Sequence, residues 1–290
     1  MNNNAIRAAA NALKGCLIGA ANVIPGVSGG TIAVITRLYD DLIASISGFF
    51  RTGWKKNALF LSPIVVGAAI GIILFARVIG FFLDSYQIQT IYFFMGLILG
   101  SLPFLVKTTL TESFRPIYLL PFAVTLGLLV WMSLAGRPPL SEAITELTLV
   151  GAVWIFLTGV ISSATMVIPG VSGSFVLLLI GMYETLREAA VTFNVPILAV
   201  LLPGFVVGIV LVSKLINFLL SRHHSVTYWA IIGLVVGSVV AIWPRTESGA
   251  WTVPTTAAAI ATSIAAFAVG FALAFFLGSD RKQKAVENAA

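Results

Sequence analysis

Ala21-Asn22-Val23-Ile24-Pro25-Gly26-Val27-Ser28-Gly29-Gly30 returns 144 positions later as Thr165-Met166-Val167-Ile168-Pro169-Gly170-Val171-Ser172-Gly173-Ser174. Written twice in one chain, the phrase marks an internal duplication. Each copy sets a Pro-Gly and a Ser-Gly pair inside a stretch otherwise apolar enough to lie in a bilayer. A helix broken there leaves backbone carbonyls on one side and amides on the other without partners, at several kcal/mol each in lipid. Such a break is tolerated where it is buried in protein or lines a cavity, and inverted-repeat membrane proteins build central sites from it.

The similarity runs beyond the phrase. Tyr39-Asp40 matches Tyr183-Glu184 at the same offset of 144. The register then settles at 137, where Gly71 matches Gly208, Arg77 matches Lys214, Phe81 matches Phe218, Gly96 matches Gly233 and Gly100-Ser101 matches Gly237-Ser238. Two repeats follow, 1–138 and 139–290, meeting in the polar turn Gly136-Arg137-Pro138-Pro139. Each holds two apolar segments flanking the break and then three long ones. If the flanking pair is a re-entrant hairpin, over about 12–50 and 147–190, each repeat makes three crossings; if both segments span, it makes five. Either number is odd, so the second repeat enters from the opposite face and the repeats are inverted.

Composition sets the class. Of 290 residues 59% are hydrophobic and 10% charged, against roughly a quarter charged in soluble domains, and the mean hydropathy is +1.03. Apolar runs at 58–83, 91–106, 116–135, 147–168, 195–220, 226–243 and 254–277 suit helices crossing a core about 30 Å thick, not the short alternating strands of a barrel. The expected fold is an all-α polytopic membrane protein. The net charge of +6 reports orientation in such a chain before it reports nucleic acid, which is not expected as a partner. Cys16 is the single cysteine, so no intramolecular disulfide or thiolate cage forms, and His223 and His224 are adjacent in a polar turn, poor spacing for a metal. No metal or cofactor is expected. Asn22, Pro25 and Gly26 interrupt the first apolar run before a clear cleavage site, so the N-terminus is expected to stay attached.

Charge orients the chain. With the N-terminus inside, the cytoplasmic side collects Arg7, Lys14, Arg51, Lys55, Lys56, Lys107, Arg115, Arg222, Arg281, Lys282 and Lys284, and the outer connections only Arg137, Arg187 and Arg245. That bias places both termini in the cytoplasm.

The breaks are the candidate site. After Pro25-Gly26, Ser28 can cap a new helix while Gly29, Gly30 and Thr31 let a ligand approach its amides; Asn22 precedes them. Pro169, Gly170, Ser172, Gly173 and Ser174 offer the second copy. A helix N-terminus favours anions, phosphate above all, and two such tips entering from opposite faces meet near the midplane. The bland account is that the glycines permit close packing and the serines bond backbone. Arg37, Asp40 and Asp41 follow the first tip, Glu184, Arg187 and Glu188 the second, at spacings that allow local ion pairs. Alternatively Arg37 and Arg187 meet an anion while Asp40 and Glu184 hold them or carry protons. Arg77 and Lys214, about two turns inside matching helices, are either snorkelling side chains or cationic stations at the two entrances. Tyr39 and Tyr183 read as interfacial anchors.

The two phrases, with Gly181-Met182-Tyr183-Glu184 after the second, resemble the DUF368 family of bacterial membrane proteins over roughly residues 12–278. The resemblance implies a polyprenyl-phosphate transporter in the bacterial cytoplasmic membrane, returning undecaprenyl phosphate from the outer to the inner leaflet for reuse in cell-wall synthesis. The implied substrate is one phosphate on a long isoprenoid tail that stays among the membrane lipids. The second copy departs from the first at Thr165-Met166 and at Ser174, so the tips need not contribute equally. The residues leave a homo-oligomer open. They also leave one rival open, an ion-coupled transporter of a small soluble anion. An enzyme acting on lipid phosphates would need a nucleophile with its base or a carboxylate-held metal, and the only histidines are adjacent in a turn.

Overall fold

Continuous apolar sequence rich in Leu, Ala, Ile and Val has one way to satisfy its backbone without water, which is to close every hydrogen bond within a helix. The computed structural model describes residues 3–22, 28–49, 53–109, 114–134, 143–171, 173, 176–177, 180–244 and 251–279. Among these the chain forms eleven α-helices with defined bounds and no strand. They are α1 (Asn3–Asn22), α2 (Gly29–Ile35), α3 (Tyr39–Ser47), α4 (Trp54–Ser85), α5 (Gln87–Thr109), α6 (Leu119–Leu134, entered through a 3-10 turn at Pro116–Tyr118), α7 (Leu149–Val167), α8 (Tyr183–Val191), α9 (Val195–Arg222), α10 (His224–Ala241) and α11 (Ala257–Ser279).

Seven helices are long and apolar enough to cross a membrane: α4, α5, α6 with its entering turn, α7, α9, α10 and α11. They fall on the seven apolar runs of the sequence. The chain is a multi-pass, all-helical membrane protein. Helix α1, interrupted by Asn11 and Lys14, is not among the seven, and α2 has seven residues, about 10 Å of rise, far short of a crossing.

Four close pairs organise the bundle: α1 on α4, α7 on α9, α5 on α11, and α6 on α10. Glycine decides how near they come. A Cβ on Gly71 would lie 2.1 Å from the Cys16 carbonyl oxygen, and one on Gly208 would lie 2.2 Å from that of Val160. Gly96 faces the Phe267 carbonyl at 2.1 Å and Gly233 that of Phe122 at 2.4 Å in the same sense. No side chain fits at these points, so backbones touch, the small-residue packing that lets helices associate in lipid without a hydrophobic driving force. The glycines that match at the 137 offset are the crossing points of matching pairs.

The main core is shared by distant parts of the chain. Ile32, Ala33, Val34 and Ile35 of α2 and Tyr39 and Ile43 of α3 pack with Ile98 and Leu105 of α5, Ile216 of α9 and Ile231, Ile232 and Val235 of α10. A separate cluster joins Ile155, Leu177, Met182, Ala189, Ile197 and Leu201 beside α8.

Candidate functional site

The first break is closed by its own polar residues. Ser28 has extended geometry (φ −97°, ψ 133°) and caps α2, its Oγ accepting from the Gly30 amide at 3.2 Å. The Gly29 amide donates to Asn22 Oδ1 at 3.1 Å, and the Thr31 amide to the Ser28 carbonyl at 3.0 Å. The amides that sequence alone offers to a ligand are therefore occupied by the chain. Asn22 is exposed, whereas Ser28, Gly29, Gly30 and Thr31 are buried. Pro25 and Gly26 lie outside the described residues.

At the second break α7 stops at Val167, Ile168 turns extended (φ −75°, ψ 120°) and Gly170 takes φ +81°. Only glycine serves there, because a Cβ would also sit 2.3 Å from the Leu234 carbonyl oxygen. Pro169 is fully buried. Gly173 lies beside Thr165 and Met166; Ser172 and Ser174 lie outside the described residues.

The two breaks touch. Ser28 Oγ donates to the Ile168 carbonyl at 3.2 Å, and the Gly170 amide donates to Thr31 Oγ1 at 2.8 Å. A Cβ on Gly30 would lie 3.0 Å from the Val167 carbonyl oxygen. Residues about 140 positions apart thus satisfy one another's orphaned backbone groups inside the bundle, the accounting that a break in lipid demands.

The charged candidates separate. Arg37 ends α2 with φ +55°, the Leu38 amide reaching the Ala33 carbonyl at 2.8 Å as in a helix-ending left-handed turn that usually takes glycine. Its guanidinium lies over the Phe104 ring, 3.6 Å from the centroid. Asp40, exposed on α3, accepts a hydrogen bond from the hydroxyl of Tyr228 on α10. Arg187 pairs locally with Glu184 at 3.2 Å, its side chain 57% exposed. Lys214 is exposed on α9, and the Arg77 side chain lies outside the described residues. The fold brings the tip residues together and places Arg37 and Asp40 beside the main core, while Arg187 and Glu184 keep to their own helix. At the offset of 144 the partner of Arg37 is Gly181 (φ +72°). Sequence reasoning missed Tyr228 and Phe104, because an aromatic residue in an apolar run carries no mark of a polar or cationic partner. Among the described residues no three His, Cys, Asp or Glu side chains converge as a metal site would need.

These features define a polytopic helical membrane protein whose two broken helices meet inside the bundle. The chain belongs to the VCA0040-like family, described as undecaprenyl phosphate translocase-like, whose model matches residues 18–260. It is 35% identical over 259 residues to the polyprenyl-phosphate transporter of Vibrio cholerae serotype O1, covering 83% of this chain and 79% of that one. It is 34% identical over 277 residues to the polyprenyl-phosphate transporter of Staphylococcus aureus, covering 92% and 95% respectively. No solved structure matches the chain.

Proposed function

We propose that the protein carries a polyprenyl phosphate, undecaprenyl phosphate in the first instance, from the outer to the inner leaflet of the bacterial cytoplasmic membrane. The observation that carries the reading is the junction of the two breaks, held by Ser28 to Ile168 and by Gly170 to Thr31 in a family described by this lipid. A phosphate is a strong acceptor for many donors at once, and the junction holds neutral groups, the Asn22 carboxamide and the Ser28 hydroxyl, that can yield the Gly29 and Gly30 amides to it. Arg37 stands one short helix away as the cation. Gly173, with Ser172 and Ser174 from the second copy, completes the phosphate's surroundings, while Arg77, Lys214 and Arg187 meet it on entry and exit. Asp40 and Glu184 are the carboxylates available for proton coupling. The isoprenoid tail needs no site of its own, since the apolar outer faces of α4, α6, α9 and α11 already lie in lipid.

The repeats 1–138 and 139–290 are read as inverted, each a re-entrant hairpin followed by three crossings. The shortness of α2, the reciprocal pairs α1–α4 with α7–α9 and α5–α11 with α6–α10, and the matching glycine crossings support that reading. Both termini then face the cytoplasm. Single cysteines at Lys56 and Arg187 in a Cys16→Ser background should label from opposite sides of intact cells, and labelling from one side overturns the orientation.

Purified protein in vesicles should move polyprenyl phosphate between leaflets without nucleotide. If it moves free phosphate and leaves the lipid-linked form in place, the small-anion reading replaces this one. If it releases free phosphate from the lipid, an enzyme replaces both.

A further inference from the structure

The two helices that follow the breaks occupy unlike places. Helix α3 touches α4 of its own repeat and also reaches across to lie on α9, with Tyr39 and Ile43 buried in the main core beside Ile216 and Tyr228. Helix α8, which matches it at the offset of 144, packs on α9 of its own repeat. It is tied to the segment before α7, the Thr185 hydroxyl accepting from the Ile144 amide at 3.0 Å. Among the described residues α8 makes no comparable packing across to α4. Among the described residues, one end of the bundle is therefore bridged between repeats and the other is not comparably bridged.

The bridge has a polar fastening and two features that work against it. The fastening is the hydrogen bond from the buried Tyr228 hydroxyl to Asp40. Against it, Arg37 holds a left-handed backbone angle where Gly181 does so freely in the other repeat. In addition, the Tyr39 hydroxyl, 4% exposed, has no hydrogen-bond partner among the described residues. A buried hydroxyl without a partner is destabilising and regains one when it reaches water. A strained turn just before α3 and an orphaned hydroxyl on it weaken a closed position that is held by the apolar burial of Tyr39 and Ile43, the Arg37–Phe104 contact and the Tyr228–Asp40 bond.

We propose that Tyr228 and Asp40 form a latch that holds α3 across α9 and α10, and that this latch opens in each transport cycle. Tyr228 is thus a positioning residue for transport, acting on α3 through Asp40 and not on the phosphate. The inference rests on the transport reading for its purpose, but the latch itself is a statement about α3. Because each repeat contributes one such helix and, among the described residues, only α3 bridges, we take the structure as the state sealed at the α3 end. Opening α3 exchanges the sealed end, the rocking of one repeat against the other that inverted repeats permit.

The test measures distance, independently of any substrate. In a Cys16→Ser background, nitroxide labels at the exposed positions Asp41 on α3 and Ser221 near the end of α9 report the separation by pulsed electron spectroscopy in lipid vesicles. One short distance should dominate. Tyr228→Phe, which removes only the donor, should raise a longer population at least about tenfold, the equilibrium shift expected from one hydrogen bond to a carboxylate. Asp40→Ala should do the same, and it replaces Tyr228→Phe should that variant fail to insert. A second pair at Glu188 and Asp84, on α8 and near the end of α4, should gain a shorter population in the same variants as the other end seals, and a 188–84 distribution that stays unchanged while 41–221 lengthens overturns the exchange of ends. A 41–221 distribution unchanged in both variants overturns the latch, even if the protein moves polyprenyl phosphate normally. Conversely, a latch that releases on schedule in a protein that moves no polyprenyl phosphate leaves this inference standing and removes the transport reading.

Discussion

The two breaks share a sequence and differ in what surrounds them. At the first, Asn22 and Ser28 hold the amides of Gly29 and Gly30, every residue of α2 is buried, and the helix sits in a core built from both repeats. At the second, Met166 stands where Asn22 does, its Cγ 3.2 Å from where a Cβ on Gly173 would be, and the Thr165 hydroxyl turns back on its own helix to the Ser162 carbonyl at 2.7 Å. The first break is thus lined with exchangeable polar groups and the second with an apolar side chain. Beyond them, Arg37 takes a strained turn beside Phe104, whereas Gly181 makes the same turn without strain and Arg187 faces outward. The phrase is shared, and substitutions at a few positions change what surrounds it: polar groups that can be exchanged at the first break, Met166 at the second.

Six substitutions can break or sharpen that contrast. Gly170→Ala should have the largest effect, because the new methyl meets the Leu234 carbonyl and φ +81° is unfavourable for it; a loss on the order of 3 kcal/mol or more should appear as poor insertion and a lowered unfolding temperature in detergent. Next, Thr31→Val strands the buried Gly170 amide and should cost about 1–3 kcal/mol in denaturant titrations, more than the matching loss anywhere on α8. Gly29→Val displaces the Asn22 carboxamide, 2.7 Å from the new Cβ, and should lower transport at least about tenfold; Gly173→Val meets the flexible Met166 and should lower it less. Equal losses at the two glycines would erase the distinction between the breaks. Gly181→Ala should cost about 1 kcal/mol of stability through its left-handed backbone and leave transport intact. Arg187→Gln should change stability by less than about 0.5 kcal/mol, since its pair with Glu184 is largely in solvent, and a strong loss of transport there would restore Arg187 to the site.

Much of this was legible in the residues. The seven apolar runs became the seven long helices because helices close their own backbone bonds in lipid, and the Pro-Gly phrases marked the breaks because there a missing amide donor is followed by glycine, unlike Pro63, Pro103 and Pro203, which stand within helices. Ser28 reads as a cap from its type and position, and it is one. The glycine matches at an offset of 137 were visible as repeats but not as crossing points, since nothing in a sequence tells which neighbour a glycine faces. Arg37 and Arg187 looked equivalent as cations following each tip; position in the repeat instead aligns Arg37 with Gly181, and only the backbone angles reveal that the two share a left-handed turn.

Sequence alone determined that the chain is helical, apolar enough to span a membrane and broken at two copies of one phrase, because hydropathy, period and turn residues act locally and need no partner to be read. Tertiary structure alone decided that the breaks meet through Ser28, Ile168, Thr31 and Gly170. It alone gave Asp40 the hydroxyl of Tyr228, placed Arg37 over Phe104, and laid α3 across the bundle while α8 stayed with its own repeat. Those contacts join residues far apart in the chain, and which of them form depends on how closely helices approach at their glycines, a property of pairs of helices that neither helix carries in its own sequence.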